Sequence, residues 1–250
     1  MHNGAVLPSY PLKAVLWDFD GTMADTRLRN LSVNRRIVGE MTGRSWQEVA
    51  ALSSVEAYEA AWNRVRNWQE LYVTALGLTR EQCAQAASRW APYQLDDPTP
   101  VPLFEGVETA LEHLKGLVQA VVSQNDRTII VQALSAAGVD HHFAAIVGYA
   151  EVPIDRQKPA PDGLLRAIDD LGVAEPATAL FIGDHEADIQ CAANANRDLT
   201  AIGRDLRVIS VAAHFVDGGS GMHSRVAPDH RVYHPAEIVD LVDRLRPSET

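Results

Sequence analysis

The sequence predicts a doubly wound, Rossmann-like α/β fold on a parallel sheet, interrupted by one all-helical insert. Short, unbroken apolar runs recur along the chain, amphipathic helical stretches separate the later ones, and no strand pattern occurs between about 25 and 102. Strands of a parallel sheet are covered by helices on both faces, so they read as continuous apolar runs instead of alternating ones. The length agrees, because 250 residues exceed one minimal module and fall short of two full-sized domains of roughly 100–200 residues each.

In chain order, strands are expected at 14–17, 117–122, 144–147, 179–182 and 208–211, with helices at about 107–115, 127–137, 161–171 and 186–194. A short edge strand at 231–233 and a terminal helix at 235–245 close the chain. The insert, 25–102, is rich in Ala, Glu, Gln, Arg and Trp. Ser45-Trp46-Gln47-Glu48 and Thr79-Arg80-Glu81-Gln82 both have the form of a capping box, each marking a helix start. The insert closes on Asp96-Asp97-Pro98-Thr99-Pro100-Val101-Pro102, whose prolines cannot continue a helix. Trp46, Trp62, Trp68 and Trp90 fall inside it and are expected to form its packing core, the alternative being that they stack on a substrate. The expected division is an α/β domain from 1–24 and 103–250, with the helical domain between them.

The 33 acidic residues outnumber the 22 basic ones, giving a formal net charge of -11. That surplus opposes binding to nucleic acid or to an anionic membrane. The first residues lack a basic stretch followed by an apolar segment, and nowhere do about 18 apolar residues run together. With only Cys83 and Cys191, far apart in helical segments, a disulfide framework is not expected, and a reducing cytoplasm is the default location.

Chemistry concentrates where two apolar runs end. Asp18-Phe19-Asp20-Gly21-Thr22 follows the first strand, and Gly183-Asp184-His185-Glu186-Ala187-Asp188 follows the fourth. Read alone, Asp20-Gly21 is a tight turn. If the two strands are parallel neighbours, Asp18, Asp20, Asp184 and Asp188 converge. Two carboxylates about 4 Å apart repel by roughly 4 kcal/mol at an effective dielectric near 20, so such a cluster needs a cation or bound protons. Oxygen-only donors suit Mg2+, and no histidine or cysteine stands at a spacing that favours zinc.

Ser123-Gln124-Asn125 follows the second strand and places a hydroxyl and backbone N–H groups at a helix start, which is an anion site or simply a cap. Arg156-Gln157-Lys158-Pro159 sets a lysine in a proline-stiffened loop, where it is either a solvated charge or a point cation for a phosphoryl oxygen.

Taken together, the DxDGT at 18–22, the strand ending in Ser123, Lys158-Pro159 and the GDxxxD at 183–188 resemble the haloacid dehalogenase superfamily. The closest general form is its phosphatases of the phosphoglycolate-phosphatase-like type, which carry a helical cap after the first motif. The resemblance implies Asp18 as the nucleophile and Asp20 as the general acid and base. It implies Mg2+ on the Asp18 carboxylate, the Asp20 backbone carbonyl and Asp184, with Asp188 in support. Ser123, Lys158 and the N–H groups near Phe19, Asp20 and Gln124 would bind the phosphoryl group. Members that displace halide lack an acid at the position of Asp20, so its presence points to phosphate esters.

Two residues depart from the common pattern, namely Gln124 after Ser123 and His185 after Asp184. His185 is expected to be a helix-start residue. The loop Met41-Thr42-Gly43-Arg44-Ser45 resembles the family's specificity loop and nominates Arg44 to pair with an anionic group of the substrate. The implied activity is hydrolysis of a small phosphorylated metabolite. A sugar phosphomutase would use the same aspartates. A signalling receiver domain would gather similar residues without turnover, yet it has no use for a helical cap. His214, His223, His230 and His234 show no metal-type spacing and read as surface and loop residues.

Overall fold

The computed structural model describes residues 10–65, 67–216 and 226–246. Six parallel strands form one sheet in the order β3-β2-β1-β4-β5-β6. They are β1 (Leu12–Trp17), β2 (Val118–Val122), β3 (Ala145–Val147), β4 (Ala177–Gly183), β5 (Leu206–Ala213) and β6 (His230–Val232). β1 lies at the centre, pairing Trp17 with Val121 on one side and with Ile182 on the other. Strand order reverses beside it, and in open α/β sheets that is where ligands bind, beyond the carboxyl ends of the strands.

The core helices are α5 (Val107–His113), α6 (Arg127–Ala136), α7 (Asp162–Asp170), α8 (Glu186–Ala201) and α9 (Pro235–Leu245). Because side chains alternate across a strand, β1 feeds two cores. Val15 and Trp17 pack with Val121, Ile182 and Val211 under α5, α6 and α9, while Ala14 and Leu16 pack with Ala120, Phe181 and Val208 under α7 and α8. Full burial of each such aliphatic or aromatic side chain stabilises by about 1.5–3 kcal/mol, so the position of β1 is strongly determined.

The insert contributes α1 (Arg27–Thr42), α2 (Val55–Trp62), α3 (Trp68–Thr74) and α4 (Arg80–Asp96), packed around a third core that includes Leu31, Ile37, Leu52, Leu71 and Leu76. Its two strands of connection are pinned together where the Asp25 N–H donates to Pro102 O at 2.8 Å and Ala24 bridges Leu103. The reciprocal cap expected at Thr79 and Gln82 opens α4. At Ser45 the outcome differs. Its side chain accepts from Gln47 N, and two short 3-10 turns, Trp46–Glu48 and Ala50–Leu52, follow in place of an α-helix. Val49 turns extended between them. α8 runs past the expected 194 to Ala201, because Ala195 and Leu199 bury on one face while Asn196 bonds the backbone of Val208 through both its amide groups.

Candidate active site

β1 delivers Asp18, β2 delivers Ser123, the loop after β3 delivers Lys158 and β4 delivers Asp184, all at the carboxyl edge of the sheet. Asp18 extends the β1 ladder by one bond, its N–H donating to Ile182 O at 2.8 Å. Gly21 then turns the chain with φ +78, a conformation that side chains with a Cβ resist. The turn also needs the space, since a Cβ on Gly21 would sit 2.2 Å from Asp184 Oδ2. Gly183 is similarly constrained, with a Cβ there falling 2.4 Å from that of Asp188.

Carboxylate oxygens of Asp18, Asp184 and Asp188 lie within 4.8 Å of one another. Lys158 Nζ sits among them, donating to Asp18 Oδ1 at 2.5 Å, Asp188 Oδ1 at 2.6 Å and Val122 O at 3.2 Å. All three of its N–H donors are thereby engaged. Burial opposes the charge on Lys158, but Asp18 and Asp188 outweigh that and raise its pKa.

One ammonium does not balance three carboxylates. Burial, helped by Asp188 and Asp20 and opposed by Lys158, pushes the Asp18 carboxyl up to about 7. Burial and the charges of Asp18 and Asp188 hold Asp184 well above the usual carboxylate range. This edge therefore gathers more buried carboxylate than its one lysine balances. Lys158→Met is expected to lower metal-free stability by about 3–5 kcal/mol, because it leaves buried carboxylates unpaired. Denaturant titration in chelator measures that loss.

Asp20 is separated from this group by its partners. Its Oδ1 accepts from Asn125 Nδ2 at 3.1 Å and its Oδ2 from Ser123 Oγ at 3.5 Å. Burial raises its pKa, opposed by hydrogen bonds from Thr26, Asn125 and Asn30. Ser123 is not the cap of α6, a role taken by Asp126, whose side chain accepts from Thr128 N at 2.8 Å. Gln124 Nε2 reaches Gln157 Oε1 and Lys158 O, both at 3.4 Å, and so ties the Ser123 and Lys158 loops together.

His185 caps α8, its Nδ1 accepting from Ala187 N at 3.2 Å while Asp188 Oδ2 accepts from His185 N at 3.1 Å. Its ring also meets Trp62 of α2, centroids 5.2 Å apart, so it joins the cap to the core.

Above this edge the insert closes a cavity of about 380 Å³ whose lining includes Asp18, Asp20, Lys158 and Asp184. Trp62, Trp68 and Trp90 contribute to its wall as well as packing on the insert core, whereas Trp46 lies under the Arg35 guanidinium. Arg44 lies elsewhere. It is half-exposed beside Glu48, and the arginine lining the cavity is Arg27. Arg27, Asn30 and Asn125 were not singled out from the sequence. The position of Asn125, two residues past Ser123 at a strand end, was the one available signal. His223 lies outside the described residues, while His214 stacks on Tyr233 and His234 caps α9. Among the described residues, the Asp18, Asp184 and Asp188 group is the one cluster spaced for a metal, and no helix is long and apolar enough to cross a membrane.

A doubly wound sheet with buried acids and a lysine at its switch point, covered by a helical cap, defines a class of α/β enzyme. The chain belongs to the haloacid dehalogenase-like hydrolases, whose family model matches residues 15–202. A phosphoglycolate phosphatase of Haemophilus influenzae is 28% identical over 181 residues, 71% of this chain and 79% of that protein. An N-acetylmuramic acid 6-phosphate phosphatase of Pseudomonas aeruginosa is 28% identical over 246 residues, 93% and 96% of the two chains. Among solved structures, a predicted phosphoglycolate phosphatase from Haemophilus somnus shares the fold with a TM-score of 0.70, 20% identity and coverage of 92% and 97%.

Proposed function

We propose that the protein is a magnesium-dependent phosphatase that hydrolyses the phosphate monoester of a small metabolite through an aspartyl phosphate on Asp18. The observation that carries this reading is the different setting of two acids two residues apart. Asp18 is held by Lys158 beside two other carboxylates, while Asp20 is held by Asn125 and Ser123. The phosphatases among the relatives support it.

The donor set fits a hard divalent cation, being all oxygen and short of positive charge. Asp18, Asp184 and the Asp20 carbonyl would hold it, with Asp188 fixed in support by Lys158 and the His185 N–H. When bound, the ion supplies charge that steadies the phosphoryl oxygens.

The chain's own residues do the rest. An Asp18 oxygen bonds to phosphorus as the bond from phosphorus to the leaving oxygen breaks, and Asp20 gives its proton to that oxygen. Burial raises the pKa of Asp20, the direction a proton donor needs. Asp20 then takes a proton from the water that attacks phosphorus, the bond to Asp18 breaks, and inorganic phosphate leaves. Lys158 exchanges one of its present acceptors for a phosphoryl oxygen, with Ser123 and nearby N–H groups completing the cradle.

The test is turnover of p-nitrophenyl phosphate with Mg2+ and its loss in chelator. Phosphate release from a hexose phosphate without an isomerised product separates this reading from a mutase, and a stable phosphoprotein without turnover would contradict it. Gly21→Ala is expected to displace Asp184 and raise the Mg2+ concentration for half-maximal rate at least about tenfold, since a misplaced ligand weakens a metal site.

A further inference from the structure

The cavity says more about the leaving group than the catalytic edge does. Its volume of about 380 Å³ falls within the roughly 300–1,000 Å³ of pockets that enclose drug-sized ligands, and a phosphorylated two-carbon acid would leave much of it unfilled. Trp62, Trp68 and Trp90 bring broad apolar surfaces to its wall, and Asn30, Asn34 and Tyr58 also line it. That combination suits a ring with an apolar face and hydroxyl edges.

Charge sharpens the choice. Among the described residues, Arg27 is the one cation the insert brings to the cavity. Its Nε and Nη2 donate to the two Asp25 carboxylate oxygens, both at 2.7 Å, and Glu59 Oε1 lies 3.6 Å from Nε. Lys158 is already divided between Asp18 and Asp188. Two carboxylates, Asp25 and Glu59, thus offset this one guanidinium, so a carboxylate on the leaving group would meet Glu59 along with Arg27, and the wall disfavours a second anion.

We infer that the leaving group is an uncharged, hydroxylated ring of monosaccharide size, so that sugar phosphates are preferred over phosphorylated two-carbon acids. The inference rests on the phosphatase reading above. The test compares kcat/KM, with Mg2+, for glucose 6-phosphate, N-acetylglucosamine 6-phosphate, 2-phosphoglycolate, phosphocholine and p-nitrophenyl phosphate. At least one hexose phosphate is expected to exceed 2-phosphoglycolate and phosphocholine by tenfold or more.

Equal or faster hydrolysis of 2-phosphoglycolate, or of the cationic ester, overturns the inference and leaves the phosphatase reading standing. Hydrolysis of none of the five, p-nitrophenyl phosphate included, overturns both. Two variants carry the same question. Trp90→Ala is expected to lower kcat/KM for the hexose ester at least tenfold, and by more than for 2-phosphoglycolate. Glu59→Gln removes the carboxylate nearest Arg27 after Asp25, and is expected to raise the 2-phosphoglycolate to hexose phosphate ratio at least threefold. An unchanged ratio in both folded variants would count against the inference.

Discussion

Asp18→Asn is expected to lower ester hydrolysis by at least about 10⁴-fold while leaving the protein folded. The loss is large because an amide oxygen neither attacks phosphorus effectively nor carries the charge the site needs, and removing a nucleophile leaves only positioning by the remaining groups. The fold survives because Lys158 keeps Asp188 at 2.6 Å and the Val122 carbonyl at 3.2 Å, so its buried charge stays paired. Asn is also close in shape to the protonated acid, the form that burial already favours at this position. Steady-state rates with p-nitrophenyl phosphate, alongside thermal unfolding of the same samples, separate a chemical loss from a structural one.

Asp184→Asn is expected to abolish stabilisation by Mg2+ and to make the metal-free protein more stable than the parent. The sign follows from the protons bound. In the folded, metal-free protein Asp18 titrates at about 7 against 3.8 unfolded, and Asp184 is also raised well above 3.8, in both cases first through burial. Such groups bind more protons folded than unfolded. The contribution of Asp18 is fully present below about pH 4 and is lost as pH rises through about 7, and that of Asp184 is lost in the same direction with rising pH.

In chelator the parent should therefore lose stability from this site across that window. The variant, which cannot ionise at 184 and relieves Asp18 of a neighbouring charge, should lose less. Near pH 7 its Tm in chelator is expected to exceed that of the parent by several degrees, at about 2–4 °C per kcal/mol for a chain of this size. Saturating Mg2+ should raise the Tm of the parent alone. Thermal unfolding from pH 4 to 8, with and without Mg2+, checks both statements, and a lower metal-free Tm for Asp184→Asn across the whole range would contradict them.

The sheet was legible because its signals are local. A run such as Ala179-Leu180-Phe181-Ile182 must be buried on both faces wherever it lies, and all five expected main strands are present, shifted only at their ends. The shift at β6, from 231–233 to His230–Val232, is of the same kind. Asp18, Asp184 and Asp188 were legible for a related reason. Parallel pairing of β1 with β4 brings the ends of the two strands together, and this is the one long-range assumption the site required.

What escaped depends on how the insert folds over the sheet. Helical spacing leaves packing and substrate stacking both open for the tryptophans, and Trp62, Trp68 and Trp90 both pack on the insert core and line the cavity, which spacing alone does not decide. Arg44 was singled out from its loop, while Arg27, the first residue of α1, lines the same cavity as Asp20 and Gly21. The Ser45 motif has the residues of a capping box, yet the backbone turns extended at Val49, and a local pattern does not anticipate that.

The central claim is that the phosphoryl group passes through a covalent bond to Asp18. The most direct measurement is a rapid acid quench during turnover of a phosphate ester, followed by borohydride reduction and peptide mass spectrometry. An aspartyl phosphate at that position is reduced to homoserine, so conversion of Asp18, in the peptide containing Leu16 to Asp20, is the predicted result. Conversion should depend on Mg2+ and be absent without substrate. Turnover with no conversion at Asp18, or with the modification at Asp20 or Asp184 instead, would contradict the account.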